Sequence, residues 1–373
     1  MQSKEIVSRL AQEAGIEIGG SRPFDIRVHD PAMFSRVIRQ GSLGLGESYM
    51  DGQWDSEDLE TTLFKLVSSS AEKRIARDPR LLLRLFAFYL KQVVPNRGAR
   101  RRAYEIGRHH YDIGNDLYRR MLDSRMIYSC GYWRNATTLD DAQEAKLDLI
   151  CRKLQLEPGM RVLDIGCGWG GFLRYAAEEY GIEGVGVTVS EEQARHATES
   201  VKDLPVEIRL ADYRDVSGSF DRILSIGMFE HVGYKNYPVY MDVVNSLLKD
   251  DGLTLLHTIG CNEPIKSRDR WVARYIFPNS KLPAICQIDP AARRHFVLED
   301  FHNFGLDYMT TLRQWRENFE NAWPELSNTY DERFRRMWNF FLSSSAAAFR
   351  ARKTQLWQMV FSKYRPVPYR SVR

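Results

Sequence analysis

Apolar and polar residues alternate along the second half of the chain in segments that predict strands and helices in turn. Short apolar runs bounded by glycine, aspartate or other polar residues are typical of buried strands in a parallel sheet. The predicted strands are Arg161 to Ile165, Gly184 to Val189, Val206 to Leu210, Ile223 to Ile226, Leu253 to Leu256 and Leu356 to Phe361. The predicted helices between and after them include Phe172 to Tyr180, Tyr237 to Leu248, about Asp307 to Trp323 and Asp331 to Phe349. This order predicts an α/β fold with a doubly wound, mostly parallel sheet.

The rest of the sequence divides into parts of different composition. Residues 1–70 include the glycine-rich stretch Gly41 to Asp55 and predict a small N-terminal domain. Residues 71–102 are strongly basic and predict a helical connector, so that residues 103–373 form a second, larger domain. Residues 261–296 interrupt the strand and helix alternation with aromatic residues and prolines, and we interpret them as a lid, because loops of that length are usually functional.

Composition excludes several classes of protein. The 373 residues are 43% hydrophobic and 27% charged, and no apolar run approaches the ~20 residues that cross a bilayer. The first residues lack a secretory apolar region, so we expect a cytoplasmic protein. The five cysteines are odd in number and have no CxxC spacing, which predicts reduced thiols and no metal site.

The strand Val162 to Ile165 ends in a turn whose glycines, Gly166, Gly168 and Gly171, have the spacing of a dinucleotide-binding loop. The spacing alone leaves nicotinamide, flavin and S-adenosylmethionine open. Asp164 favours S-adenosylmethionine, because a carboxylate at this place repels a pyrophosphate but suits an ammonium group. We therefore predict a methyl-donor site that includes Asp164, Gly166 and Gly168.

Polar residues follow each predicted strand, where ligands of open α/β sheets bind. These residues are Thr188, Ser190, Gln193, Asp212, Tyr213, Glu230, His231, His257 and Thr258. We assign Thr188 and Gln193 to the donor ribose, with Glu191 as an alternative, and Asp212 with Tyr213 to the adenine. Asp212 also has the simpler interpretation of a helix N-cap. His231, Cys151, Cys167 and Cys286 are interpreted as structural.

The chain has a net charge of +4, and its basic residues are concentrated between Lys73 and Arg102. Within this stretch Leu81 to Val94 is apolar, and Arg84 and Lys91 lie two helical turns apart on one face. The pattern is typical of a helix at an anionic membrane surface, and equally of a packed connector with a solvated edge. No recognition motif accompanies the charge, so we expect no nucleic-acid partner.

The chain resembles the cyclopropane-fatty-acyl-phospholipid synthases, a family that includes the mycolic acid cyclopropane synthases. The resemblance rests on HYDIGND (110–116), YSCGYW (128–133), VLDIGCGWGG (162–171), MFEHVG (228–233), LLHTIG (255–260), HNFGLDY (302–308) and FRARKTQLWQ (349–358). It implies that residues 103–373 form a catalytic domain of the class I methyltransferase type with a seven-stranded sheet. It also implies a homodimer and an N-terminal domain that makes lipid or dimer contacts. Tyr128 and Ser129 then join the donor site.

The resemblance also implies a reaction. Methyl transfer to the cis double bond of an unsaturated phospholipid acyl chain leaves a carbocation, which loses a proton to bound bicarbonate and closes a cyclopropane ring. The bicarbonate site would comprise Cys130, Glu230, His257, Ile259 and Tyr308, with backbone groups from Cys130 and Ile259. Glu230 next to bicarbonate requires a shared proton or a charged His257.

Alternative interpretations stay open at this point. His257 is also compatible with a core histidine, and Glu230 with an acid at a helix N-terminus. The aromatic residues Tyr111, Tyr128, Tyr275 and Phe277 are compatible with cation stabilisation or with a plain apolar wall. The alternative enzyme is a C-methyltransferase that leaves a methyl branch, and the alternative outside catalysis is a lipid-binding protein with a vestigial fold. We expect peripheral association with the inner face of the membrane.

Overall fold

A computed structural model describes residues 3–69, 114–265, 267–278, 280–364 and 369–373. The described residues form two compact units. The first combines the residues before position 70 with Asp269–Ile276 and Trp323–Arg352, and the second contains most of the remainder. The domain limits predicted from the sequence stay a prediction. The basic connector, with Arg84 and Lys91, lies outside the described residues.

The first unit consists mainly of helices around buried tryptophans. Its elements are α1 (Ser3–Glu13), β1 (Arg27–Val28), α2 (Ala32–Gln40), α3 (Ser42–Met50), β2 (Trp54–Asp55), α4 (Leu59–Ser68), α10 (Arg270–Tyr275) and α13 (Glu332–Arg350). Trp271 of α10 packs directly on α3, with its Nε1 3.3 Å from Met50 Sδ. Gly46 permits this contact, because a Cβ there would lie 2.3 Å from the Trp271 ring. Three separate segments of the chain therefore share one core.

The second unit is built on a seven-stranded sheet with strand order β5-β4-β3-β6-β7-β9-β8. Its strands are β3 (Arg161–Ile165), β4 (Glu183–Thr188), β5 (Val206–Leu210), β6 (Phe220–Ile226), β7 (Leu248–Gly260), β8 (Phe296–Asn303) and β9 (Gln355–Lys363). The first five are parallel, and β9 pairs antiparallel with both β7 and β8. From β3 the chain adds β4 and β5 on one side and then crosses to add β6 and β7 on the other side. Ligands of such sheets bind at the position where this direction changes.

Helices cover both faces of this sheet. They are α5 (Asn115–Met121), α6 (Leu139–Lys153), α7 (Gly171–Tyr180), α8 (Glu191–Ser200), α9 (Tyr237–Leu247), α11 (Ile285–Ala292) and most of α12 (Gly305–Leu326). Leu163 and Ile165 point to a core shared with α9 and α11, while Val162 points to the opposite core, shared with α6 and α7. This alternation along β3 confirms the predicted doubly wound fold.

Within the described residues, each strand and helix predicted from the sequence has a counterpart in the structure. Strand β8 was not predicted. Residues 261–296, predicted as a lid, contain α10 and α11 and a bridge between Cys261 and Ala284. Among the helices that the structure describes, none is long and apolar enough to cross a membrane.

Candidate active site

A cavity of about 200 Å³ opens beyond the carboxyl ends of β3, β4 and β6. Every residue assigned to donor binding from the sequence lines it. These residues are Tyr128, Ser129, Asp164, Gly166, Gly168, Thr188, Gln193, Asp212 and Tyr213. Parallel strands bring their ends to one edge of the sheet, which explains why positions so far apart in sequence meet here.

The turn after β3 requires glycine at two positions for different reasons. Gly166 has a φ of +90°, and a Cβ there would lie 2.7 Å from the Met228 side chain. Gly168 has a φ of +56°, but a Cβ there would meet no described atom within 4 Å. Gly166 is thus required by both packing and conformation. Gly168 is required by conformation, and the open space beside it belongs to the cavity.

Asp164 and Asp212 are the acidic residues that line the cavity, and Asp164 lies at the end of β3. It is only 2% exposed, and among the described residues no donor lies within hydrogen-bond distance of its Oδ1. Burial raises the pKa of this carboxyl to about 7, and the charge of Lys146 acts in the opposite direction. A buried carboxylate oxygen without a donor fits the ammonium group of an amino-acid ligand.

The residues after β4 are ordered by mutual hydrogen bonds. Thr188 Oγ1 donates to Gln193 Oε1 at 2.9 Å, and the Ser190 side chain accepts from the Gln193 N–H at 3.3 Å and caps α8. Both Thr188 and Gln193 line the cavity, whereas Glu191 is exposed at the start of α8 and does not line it.

Asp212 caps the short 3-10 helix Tyr213–Asp215 by accepting the Arg214 N–H at 3.0 Å. The Arg214 guanidinium also contacts both carboxylate oxygens, at 2.8 and 2.5 Å. The N-cap interpretation of Asp212 therefore describes a real contact, and an adenine amino group would have to share this carboxylate with Arg214.

A second group of predicted residues lies at the end of β7. Glu230 Oε1 accepts the Ile259 N–H at 2.6 Å, while Glu230 Oε2 has no partner among the described residues. Burial raises the pKa of Glu230 to about 7. His257, two residues before Ile259, shares its face of the strand. Its Nδ1 lies 3.3 Å from Gln358 Nε2 on β9, and its Nε2 has no partner in the described part of the chain.

Burial and the charges of Lys146 and Lys153 hold the pKa of His257 well below its usual value. His257 is therefore a neutral imidazole near pH 7. Because Gln358 Nε2 donates to Nδ1, the ring proton belongs on Nε2, so His257 presents an N–H donor.

Cys130 contacts α12, the helix that also carries Tyr308. The Thr311 hydroxyl, one turn after Tyr308, lies 4.0 Å from Cys130 Sγ and accepts the Gly131 N–H at 3.1 Å. Burial raises the pKa of the Cys130 thiol well above its usual value, so Cys130 is a neutral thiol. The charge of Lys146 influences both Cys130 and His257, which places both within electrostatic reach of one lysine.

The aromatic residues that we considered for cation stabilisation differ in their surroundings. Tyr128 lines the cavity and packs on Trp315 at 5.1 Å between ring centroids. Phe277 contacts the His231 ring, whereas Tyr275 belongs to the first unit and donates its hydroxyl to Glu47 at 2.8 Å. Tyr111 lies outside the described residues.

Several residues that contribute to this region were not predicted. Lys146, Trp169 and Arg214 line the cavity, as do Cys167 and His231, which the sequence analysis treated as structural. Gln358 contacts His257 from β9. Trp169 lies inside the glycine turn and Gln358 ends the segment FRARKTQLWQ, so both were detectable, whereas Lys146 occupies a segment with no motif that marks a function.

Comparison with known proteins agrees with this geometry. The profile of the family described as "Mycolic acid cyclopropane synthetase" matches residues 99–359. A cyclopropane-fatty-acyl-phospholipid synthase of Escherichia coli is 51% identical over 358 residues, which cover 96% of this chain and 93% of that protein. A probable fatty acid methyltransferase of Pseudomonas putida is 31% identical over 94% of this chain and 90% of its own length.

A solved structure of the mycolic acid cyclopropane synthase CmaA1, in complex with SAH and CTAB, resembles this one with a TM-score of 0.66 and 31% identity. The match covers 70% of this chain and 98% of that one. The profile match and the extent of the identity together identify the chain as a member of the family of S-adenosylmethionine-dependent cyclopropane synthases.

Proposed function

We propose that this chain converts the cis double bond of an unsaturated phospholipid acyl chain into a cyclopropane ring, with S-adenosylmethionine as donor and bicarbonate as base. The observation that carries the proposal is a pair of buried polar atoms, Glu230 Oε2 and His257 Nε2, that have no hydrogen-bond partner among the described residues. Glu230 is held to the end of β7 by the Ile259 N–H, and His257 belongs to that strand. The proposal is also supported by the cavity, because the buried carboxylate of Asp164 in its lining suits the ammonium group of the donor.

The reaction balances without an added oxidant or reductant. The alkene attacks the methyl group of the sulfonium, so that the carbon–sulfur bond breaks and a carbocation forms on the acyl chain. Loss of one proton from the transferred methyl closes the ring, and the lipid gains one CH₂. S-adenosylhomocysteine and a proton are the other products.

The residues at the end of β7 fit a small anion that is both acceptor and donor. When bound, bicarbonate supplies the base that receives the methyl proton. The His257 Nε2–H would donate to an anion oxygen, and Glu230 Oε2 would accept its hydroxyl proton. The raised pKa of Glu230, about 7, allows a proton to be shared there and reduces the repulsion between two anions. Cys130 and Tyr308 complete the proposed set.

We also propose that the protein contacts the inner face of a membrane as a peripheral protein and that it forms a homodimer. A phospholipid acyl chain lies within a bilayer, so an enzyme that modifies it has to reach the membrane surface. Co-sedimentation with vesicles tests the first point, and the molar mass measured by light scattering tests the second.

The reaction is tested with purified protein, S-adenosylmethionine and vesicles of an unsaturated phosphatidylglycerol. Mass spectrometry should show a gain of one CH₂ per modified acyl chain, in a product that resists mild hydrogenation of alkenes. Without a reductant, a C-methyltransferase would leave a methyl- or methylene-branched alkene of the same mass. Uptake of hydrogen by the product would therefore favour that alternative. Undiminished turnover in buffer rigorously depleted of carbon dioxide would rule out bicarbonate as the base.

A further inference from the structure

Lys146 on α6 is a fully buried lysine that no step of the proposed reaction uses. Its side chain is 0% exposed, and its Nζ donates to Ser129 Oγ at 2.9 Å. Within the described ranges no carboxylate forms an ion pair with it. The other fully buried lysine of this helix, Lys153, pairs with Asp300 at 2.9 Å. Lysines are almost never fully buried without a charged partner, so we expect an anionic ligand to pair with Lys146.

The charge state of Lys146 is set by two opposing effects. Burial lowers its pKa to about 8, and the charges of Asp123 and Asp164 act in the opposite direction. Asp123 is already engaged with backbone N–H groups of Arg125 and Ile127, at 2.9 and 2.8 Å. Lys146 is therefore a cation near pH 7, beside a cavity into which it points.

Lys146 and Asp164 give one wall of this cavity a cation and an anion. Both residues line it, together with Ser129. The amino-acid group of S-adenosylmethionine carries an ammonium and a carboxylate on the same carbon. Because Lys146 donates to Ser129 Oγ, the Ser129 hydroxyl proton is left to donate elsewhere, and a ligand carboxylate is the acceptor that this arrangement suits.

We propose that Lys146, together with the Ser129 hydroxyl, binds the carboxylate of the methyl donor, while Asp164 binds its ammonium. This inference rests on the proposed function, since it takes the cavity as the donor site. It assigns a binding role to a residue in a helix that carries none of the recognised motifs.

The position of Ser129 is fixed by the same helix face. Gln143, one turn before Lys146, donates its Nε2 to the Ser129 carbonyl at 2.8 Å. The Tyr132 N–H donates to the Ala142 carbonyl at 2.8 Å. Residues three and four apart on a helix share a face, so α6 holds both the hydroxyl and the carbonyl of Ser129 in place before a ligand binds.

The test is calorimetric binding of two probes that differ only in the carboxylate: S-adenosylhomocysteine and its decarboxylated analogue. Lys146→Met should weaken S-adenosylhomocysteine binding about 10- to 100-fold, the range for a charged hydrogen bond. Binding of the decarboxylated analogue should change by less than about threefold. Asp164→Asn should weaken both probes, because both keep the ammonium.

Lys153→Met is the matched control, since it removes the other buried lysine of α6 and should leave both affinities unchanged. Ser129→Ala is a second, milder variant that should show the same preference for the decarboxylated probe, so the test does not depend on the folding of one variant. Equal weakening of both probes by Lys146→Met, or no weakening of either, overturns the role in carboxylate binding. A wild-type protein that binds neither probe overturns the donor site itself.

Discussion

Gln358 on β9 lies opposite His257 on β7, and its Nε2 is 3.3 Å from His257 Nδ1. The two side chains are buried, so the amide is the group that determines which imidazole nitrogen carries the proton. A glutamine provides this without adding charge, which suits a histidine whose pKa is held low by burial and by two lysines.

Replacing Gln358 by methionine should lower turnover about tenfold, because His257 loses the hydrogen bond that fixes its tautomer. Affinity for S-adenosylhomocysteine should not change. Gln358→Glu should instead raise the pKa of His257 and introduce a new inflection in the pH profile of kcat. Gln355→Met, also buried on β9, is the control. A Gln358→Met enzyme with wild-type kcat would show that the contact has no role in the reaction.

Gly168→Ala should weaken donor binding while the fold survives. The positive φ costs an L-residue about 1–2 kcal/mol, and the new methyl group would stand in open space at the cavity. Gly159→Ala is matched to it, because Gly159 has a φ of +80°, no described atom near a Cβ, and no place in the cavity lining. Both variants should lose similar thermal stability, and only Gly168→Ala should lose affinity in calorimetry. Equal affinities would remove the turn from the donor site.

Glu230→Gln should reduce turnover by orders of magnitude with little change in donor affinity, and should also stabilise the protein at alkaline pH. The folded pKa of about 7 lies above the ordinary value of 4.5, so between these values the folded chain keeps a proton that the unfolded chain has released. Wild-type stability therefore falls as pH rises through this window, by on the order of 3 kcal/mol for this group.

Urea unfolding of both proteins at several pH values measures the effect. The difference between variant and wild type should be small below about pH 4.5 and reach its maximum above about pH 7. A difference that does not depend on pH would show that Glu230 titrates normally.

Asp300→Asn should destabilise the protein by about 3–5 kcal/mol, because it leaves the buried Lys153 ammonium without its carboxylate. The adjacent Lys153 and Arg373 charges hold the pKa of Asp300 at about 2, so its contribution is present above pH 3.8 and lost as the pH falls through about 2. Asp289→Asn, which affects an exposed pair with Arg293, is the control and should cost less than about 0.5 kcal/mol. Chemical denaturation distinguishes these outcomes.

Reversing Arg84 and Lys91 to glutamate should weaken sedimentation with anionic vesicles. Each basic residue near such a surface contributes about 1 kcal/mol, screened by salt. Activity on vesicles should fall in parallel. A double variant that sediments as well as the parent would place membrane contact elsewhere, in the N-terminal residues or in the segment 261–296.

Most strands were predictable because burial on both faces gives them continuous apolar runs. Strand β8 was not, because Glu299 and Asp300 interrupt it and Val297, Leu298 and Phe301 are exposed at the edge of the sheet. Asp300 is buried together with two cationic partners, Lys153, 147 positions earlier in the chain, and Arg373, 73 positions later. Pairing over that distance leaves no local signal.

The residues assigned to donor binding were predictable for a related reason. Most of them directly follow strands in a sheet whose topology the hydrophobic pattern already indicates. Lys146 was not, because it lies in the apolar stripe of α6, where residues such as Leu149 and Ile150 face the core. Gln358 lies in the middle of β9 and depends on register, which is set by antiparallel pairing rather than by local sequence.

The shared core of α3, α10 and α13 has a consequence for how this chain can be shortened. Trp271 and Trp338 lie far from the N-terminus in sequence, yet both are almost completely buried in the first unit. A truncation that begins near residue 99, where the family match starts, would take α3 away from α10 and α13. It would uncover Trp271, which packs on Met50, and Phe340, which packs on Tyr49. The N-terminal residues are therefore not a detachable module, and any catalytic fragment would need its α10 and α13 surfaces redesigned before it could be expected to stay in solution.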